Sequence, residues 1–272
     1  MNTNKDAIGI WAYRCDILDK TVNTLVKHTP VDIPIYILDQ ANPCMEEQKN
    51  LMRKLEKDYD GRIKVWECFV TDERSHAPLS IIKFLLDHPE IERLLKIDDD
   101  FIVASDVYSG CVKAYESEPD TLLSVAMNPI NIWGLGVLFE RLGVYDKFPK
   151  WIYDPVNMYE SLKYNNEWIQ KIWEKTTPPS MVLKKLRKGE RFLEIPKIDR
   201  WGGFGMCHYF AHRKDILDVG GIWDERHWKE TSYSSGRPRI MDTWSLVYHF
   251  AWYPWLKYAI DSILPIVERN EF

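Results

Sequence analysis

Leu94-Leu95-Lys96-Ile97-Asp98-Asp99-Asp100-Phe101-Ile102-Val103 sets three consecutive carboxylates between two short apolar runs. Leu, Ile and Val in a short stretch bounded by polar residues predict a buried strand. Like charges at the end of such a strand repel one another, and little water is there to screen them. A hard divalent cation with oxygen ligands would relieve the repulsion. A solvated acidic turn is the plainer alternative, and the flanking sequence decides between them.

Upstream, strand and helix signals alternate. Residues 8–13 read as a strand, 16–27 as a helix with Leu18, Val22 and Leu25 on its apolar face, and 34–38 as a second strand ended by Asp39. A helix over 46–57, a strand over 62–70 and a helix opened by Pro78 follow, then the strand that ends in the acids. Residues 111–116 read as helical and 121–127 as extended. Strands alternating with helices predict a mostly parallel, twisted α/β sheet flanked by helices, joined by right-handed crossovers. In such sheets ligands bind beyond the carboxyl ends of the strands. Tyr13, Arg14, Asp39 and the three acids all fall at strand ends on this reading, which strengthens the binding-site interpretation of each.

From about residue 130 the pattern changes. Residues 157–175 have helical spacing, Pro178-Pro179 breaks it, and Lys184-Lys185-Leu186-Arg187-Lys188-Gly189-Glu190-Arg191 forms a basic stretch. That stretch is a solvated helix end or mobile loop, or else a clamp on phosphates. We read a single domain with an alternating α/β half, 1–130, and an acceptor-side C-terminal half, 131–272.

Composition narrows the function classes. The net charge of −5 offers no global field for nucleic acid or anionic membranes. Five scattered cysteines without a CxxC pair predict neither a disulfide framework nor a zinc knuckle. Met1 to Asp6 lacks a signal-peptide pattern, and no run approaches the ~18 apolar residues of a membrane span, so a cytoplasmic location is expected. Nine of the 12 tryptophans lie from Trp151 onward. Core packing explains most tryptophans, but this density suggests that some line a cleft.

Three segments, in order, carry a resemblance. The strand ending in Asp98-Asp99-Asp100 resembles the DxD site of GT-A fold glycosyltransferases. Val219-Gly220-Gly221-Ile222-Trp223-Asp224-Glu225 resembles the GGFDE signature of family 2 glycosyltransferases. Met241-Asp242-Thr243-Trp244-Ser245-Leu246 is similar to that family's EDxDL segment, although Met241 and Trp244 stand where the family has acids. The resemblance implies a metal-dependent glycosyltransferase that takes a sugar from a nucleoside diphosphate, typically a UDP-sugar, and transfers it with inversion.

It also implies roles, position by position. Asp100 and Asp98 would be the metal pair for Mn2+ or Mg2+, with Asp98 also reaching the ribose or a metal-bound water. Asp39 would accept a hydrogen bond from the nucleobase, Tyr13 would pack on the base beside Arg14, and Arg74 would reach the diphosphate or base. Asp242 would be the general base, with Glu225 in reserve. Trp201, Gly202 and Gly203 would sit beneath the donor sugar, and 232–238 would close as a lid. His208, His212, His227 and His249 are the candidates for a third metal ligand. Each role has a structural counterpart: Asp242 could cap a helix over 244–248, Asp39 could start a turn, and Asp224 and Glu225 could satisfy turn backbone.

The expected acceptor is a hydroxyl on a surface glycan or lipid-linked sugar. The alternative is a phage-type enzyme that glycosylates hydroxymethylated bases in DNA, for which the 184–191 stretch would grip phosphates. A nucleotidyltransferase would also use metal-binding carboxylates, but it requires a Gly-rich phosphate loop that Gly9 alone does not supply. A non-catalytic sugar- or calcium-binding module would account for the aspartates and tryptophans without any reaction.

Overall fold

The computed structural model describes residues 5–12, 17–39, 45–67, 76–128, 190–194, 208–218 and 236–249. In chain order the elements are β1 (Asp6–Ala12), α1 (Leu18–His28), β2 (Ile35–Asp39), α2 (Met45–Asp58), β3 (Ile63–Glu67), α3 (His76–Asp87), β4 (Arg93–Asp98), β5 (Phe101–Val103), α4 (Val107–Tyr115), β6 (Leu123–Met127), β7 (Phe192–Glu194), β8 (His208–His212), α5 (Arg213–Asp218) and β9 (Arg239–His249). The strands join in the order β3-β2-β1-β4-β8-β6-β9-β5, with β7 paired to β9.

The first four strands follow the sequence expectation. β1 lies parallel to β2 and β4, and β2 lies parallel to β3. Parallel neighbours need a crossover, and α1, α2 and α3 each follow one of these strands and precede the next. Beyond β4 the expected parallel order changes. β8 runs antiparallel to both β4 and β6, and β5 and β7 run antiparallel to β9, while β6 and β9 remain parallel. Strands that return after long excursions are free of the short crossover that forces a parallel neighbour.

Period-two alternation builds the core. Ile8, Ile10, Ile35, Ile37, Leu95 and Ile97 cluster with Leu18, Val22 and Leu25 of α1, Met52 and Leu55 of α2, and Val107 and Cys111 of α4. Each such side chain contributes about 1.5–3 kcal/mol when fully buried. Away from this cluster, Tyr36 and Trp66 pack edge-on against Phe84 of α3, with ring centroids 5.0 and 5.6 Å away.

The C-terminal segment corrects one alternative reading. Residues 244–248 are strand, not helix: β9 runs to His249 and pairs Val247 with Val103 and Tyr248 with Ile102. Leu246, Val247 and Tyr248 are buried, and a strand can bury both faces at once where a short capped helix would expose one. The β6–β9 register jumps from Ala126–Asp242 to Met127–Leu246, so Thr243-Trp244-Ser245 bulges out of the ladder.

Candidate functional site

The carboxyl ends of β1, β2 and β4 bring two of the predicted acids to one rim. Asp39 is the register partner of Ala12, and Asp98 is the partner of Trp11. Asp39 and Asp98 therefore flank the end of β1, the position where α/β sheets bind nucleotides. Asp39 is buried, and Gln48 of α2 donates from Nε2 to Asp39 Oδ1 at 3.3 Å and to Ala12 O at 3.2 Å.

The acid triplet is a supported turn between two strands. β4 ends on Asp98, and β5 starts on Phe101. Thr21 of α1 reaches across: its hydroxyl donates to Asp99 O at 2.7 Å and accepts from Phe101 N at 3.1 Å. Thr24, one helical turn on, donates to Lys20 O at 2.9 Å and accepts from Val103 N at 3.1 Å. Asp99, the member without a sequence-level role, thus contributes its backbone to the anchoring of the turn. Threonines inside a helix commonly bond back to their own turn; these two also hold the next layer.

Lys96 is the neighbour of the triplet that sequence reading missed. It shares a strand face with Asp98, two residues on, and its ammonium pairs with the Asp98 carboxylate while lying 4.7 Å over the Trp11 ring centroid. Lys96 is buried, whereas the Asp98 side chain keeps 22% of its surface exposed. Tyr209 sits opposite Lys96 in the β4–β8 register. Burial, and then the charge of Asp98, pushes the Tyr209 phenol up, so it stays protonated. The triplet is therefore partly neutralised from within. The available signal was a single lysine in an apolar run at the same parity as the first acid.

Asp242 stands in a different environment. Its side chain is 0% exposed. Arg191 forks onto it, Nε to Oδ1 at 3.0 Å and Nη2 to Oδ2 at 3.1 Å. Ser245 Oγ donates to Oδ2 at 2.6 Å, and Trp244 N donates to Oδ1 at 3.0 Å. The carboxylate thus shapes the β9 bulge from inside. Gly110 of α4 packs directly on it: a Cβ there would fall 2.3 Å from Asp242 Oδ2 and 1.7 Å from Ser245 Oγ. Arg191 lies between two rings, 5.0 Å from the Trp244 centroid and 5.1 Å from that of Phe192. The last cation of the 184–191 stretch is therefore engaged by a buried carboxylate and two rings. Burial, followed by the nearby Asp242 charge, raises the Cys111 thiol well above its ordinary range and keeps it a core residue.

The histidines separate by position. His208 is buried, with Nε2 2.8 Å from Ala126 O and its ring 5.4 Å from that of Phe101. His212 pairs in register with Arg93, at the far end of β4 from the acids. The backbone of His249 is in register with Phe101, the residue after Asp100. Tyr13, Arg14, Arg74, Trp201, Gly202, Gly203, Glu225 and His227, with Lys184, Lys185, Arg187 and Lys188, lie outside the described residues.

Among the described residues no three His, Cys, Asp or Glu side chains group as a metal nest, so the acid triplet does not converge as a set of three. Two carboxylates suit a smaller demand. Mg2+ and ions like it are commonly held by one or two carboxylates, with substrate phosphates and water completing the shell. Asp98 and Asp100 fit that donor set.

No family model matches the chain, and no curated protein matches it in sequence. In fold it resembles the crystal structure of GalNAc-T7 with UDP, GalNAc and Mn2+, at 14% identity and a TM-score of 0.54, over 98% of this chain and 49% of that one. It also resembles the mannosyltransferase PcManGT from Pyrobaculum calidifontis in complex with GDP-Man and Mn2+, at 10% identity and a TM-score of 0.51, over 90% of this chain and 56% of that one. The chain spans about half the length of these solved structures. The likeness extends over nearly the whole chain and establishes the GT-A fold. Among the described residues no helix is long and apolar enough to cross a membrane.

Proposed function

We propose that this chain is a divalent-metal-dependent glycosyltransferase, which moves a sugar from a nucleoside diphosphate to a hydroxyl acceptor with inversion. The observation that carries the reading is the rim at the end of β1. Asp39 and Asp98 flank it on a sheet with the GT-A fold, and Asp100 follows in a turn anchored to α1. A Mn2+ or Mg2+ ion held by Asp98 and Asp100 would offset the charge that develops on the departing diphosphate.

The chain's own residues do the rest. Thr21 and Thr24 fix the turn that carries the acids, so little reorganisation is needed on binding. Lys96 holds Asp98 in one orientation. Asp39 accepts an N–H of the base. Tyr13, Arg14 and Arg74, and Trp201 with Gly202 and Gly203, keep their motif-based places around the base, diphosphate and sugar. A sealed carboxylate forked by arginine is poorly placed to take a proton from an acceptor, so we assign Asp242 to the bulge and pass the base role to Glu225. Residues 1–130 then form the donor half and 131–272 the acceptor half of one unit.

The acceptor we expect is a surface glycan or lipid-linked sugar. The phage-type DNA version loses one of its cations, because Arg191 is engaged with Asp242. Exchange of Lys184, Lys185, Arg187 and Lys188 for Ala tests what remains of it: weaker duplex binding with a flatter salt dependence would favour DNA.

The decisive experiment is thermal unfolding with UDP, GDP and their sugars, with and without Mn2+. A true donor raises the midpoint by mass action, more so with the ion. Donor hydrolysis by the wild type should then require Mn2+ and fall away in Asp100→Ala. Metal-dependent hydrolysis that Asp100→Ala leaves untouched would defeat the reading.

A further inference from the structure

Gln48 is 1% exposed, and two acceptors set the orientation of its amide. Its Nε2 donates to Ala12 O and to Asp39 Oδ1, at the ends of β1 and β2. With both N–H groups used, what remains is a carbonyl oxygen. That atom, Oε1, is buried and meets no donor. A buried amide acceptor without a donor is costly and rare. This one stands beside Asp39, on the rim where α/β sheets bind nucleotides.

We propose that Gln48 Oε1 accepts an N–H from the donor's nucleobase alongside Asp39, and that the pair thereby selects guanine over uracil. The inference rests on the glycosyltransferase reading above and names the base for it. The two side chains can offer the base only acceptors: a carboxylate, and an amide whose N–H groups are committed. Guanine presents two adjacent donors, the ring N1–H and the exocyclic 2-amino group. Uracil presents one imide N–H between two carbonyls, and one of those carbonyls would be held against an acceptor. Sites built to hydrogen-bond a ligand group discriminate strongly against analogues that lack it, because their own buried group is then left unmet.

Hypoxanthine isolates the effect, since inosine diphosphate differs from GDP only in lacking the 2-amino group. Calorimetric titration of the full chain in Mn2+ should give GDP as the tightest ligand, with inosine diphosphate about tenfold weaker, the value of one net hydrogen bond. Gln48→Met should abolish the difference between GDP and inosine diphosphate. Equal binding of the two by the wild type, as when water satisfies Oε1, overturns the proposal, and so does a preference for UDP. The GDP and inosine diphosphate comparison needs no variant, so a poorly folding Gln48→Met would not spoil the test. A wild type that binds no nucleoside diphosphate would instead bring down the glycosyltransferase reading itself, and this inference with it.

Discussion

The turn after β4 and the bulge of β9 each place an aspartate beside a cation, and the outcomes are opposite. Asp98 pairs with Lys96 yet keeps 22% of its side chain in reach of solvent, on a rim whose backbone is pinned by Thr21. Asp242 pairs with Arg191 but is sealed, and two further donors inside the protein bind its oxygens. An ion pair by itself therefore does not mark a site. What matters is whether the carboxylate can still meet something that arrives from outside. Where protein donors fill the oxygens, the pair serves structure, and its loss should be read in stability. Where one face stays open, its loss should be read in binding.

Four substitutions put that contrast at risk. Asp100→Ala, in the turn beside Asp98 and itself only 4% exposed, should on the proposed metal role lower turnover by about 10³-fold, because several kcal/mol of charge stabilisation would go with the ion. Urea unfolding of the metal-free protein should move little. An Asp100→Ala protein that unfolds readily yet keeps its activity would invert the comparison.

Asp242→Ala should do the reverse and destabilise the fold by roughly 3 kcal/mol. This is the lower end for a broken buried pair, because Arg191 is itself 30% exposed. Chemical denaturation measures it, and a wild-type unfolding midpoint would show that the fork is not structural.

Gly110→Ala should cost about 2 kcal/mol by overpacking the bulge. Its new Cβ would lie 2.9 Å from Ser245 Cβ as well as against the hydroxyl. Adding Ser245→Gly should recover part of the loss in a double-mutant cycle, which separates a steric origin from a helix-propensity effect. The smallest change is expected of Trp244→Ala. The ring is 42% exposed, so loss of its contact with Arg191 should cost only about 0.5–1 kcal/mol. A much larger loss would mean that the ring, rather than Asp242, fixes the arginine.

The N-terminal α/β part of the molecule was legible from periodicity because its elements are local. The helices expected over 16–27 and 46–57 appear as Leu18–His28 and Met45–Asp58, and the strand over 34–38 as Ile35–Asp39. The apolar spacing of each specifies both its form and its buried face. The rim position of Asp39 and Asp98 followed from the same local signals. Gln48, Thr21 and Lys96 were not flagged. Polar residues on helices and strands look alike in sequence whether they face water or reach across to another element. Thr21 lies 78 residues from the carbonyl it holds, and no local pattern announces such a contact.

The β9 segment shows the other limit. Met241-Asp242-Thr243-Trp244-Ser245-Leu246 matched a catalytic motif by order and composition, and its local pattern allowed a capped helix. The packed molecule made it a bulged strand under Gly110, because β5 and β6 each required a partner and Arg191 supplied the charge that lets Asp242 be buried.

Sequence alone determined the α/β alternation, the strand that ends in acids and the set of carboxylates from which a metal site could be drawn, since hydrophobic period and charge are local properties of the chain. Only the tertiary structure decided which carboxylate stays open and which is sealed. Burial and hydrogen-bond partners are set by residues distant in sequence, and in a low-dielectric interior those partners determine whether a charge is used by the fold or kept for a ligand.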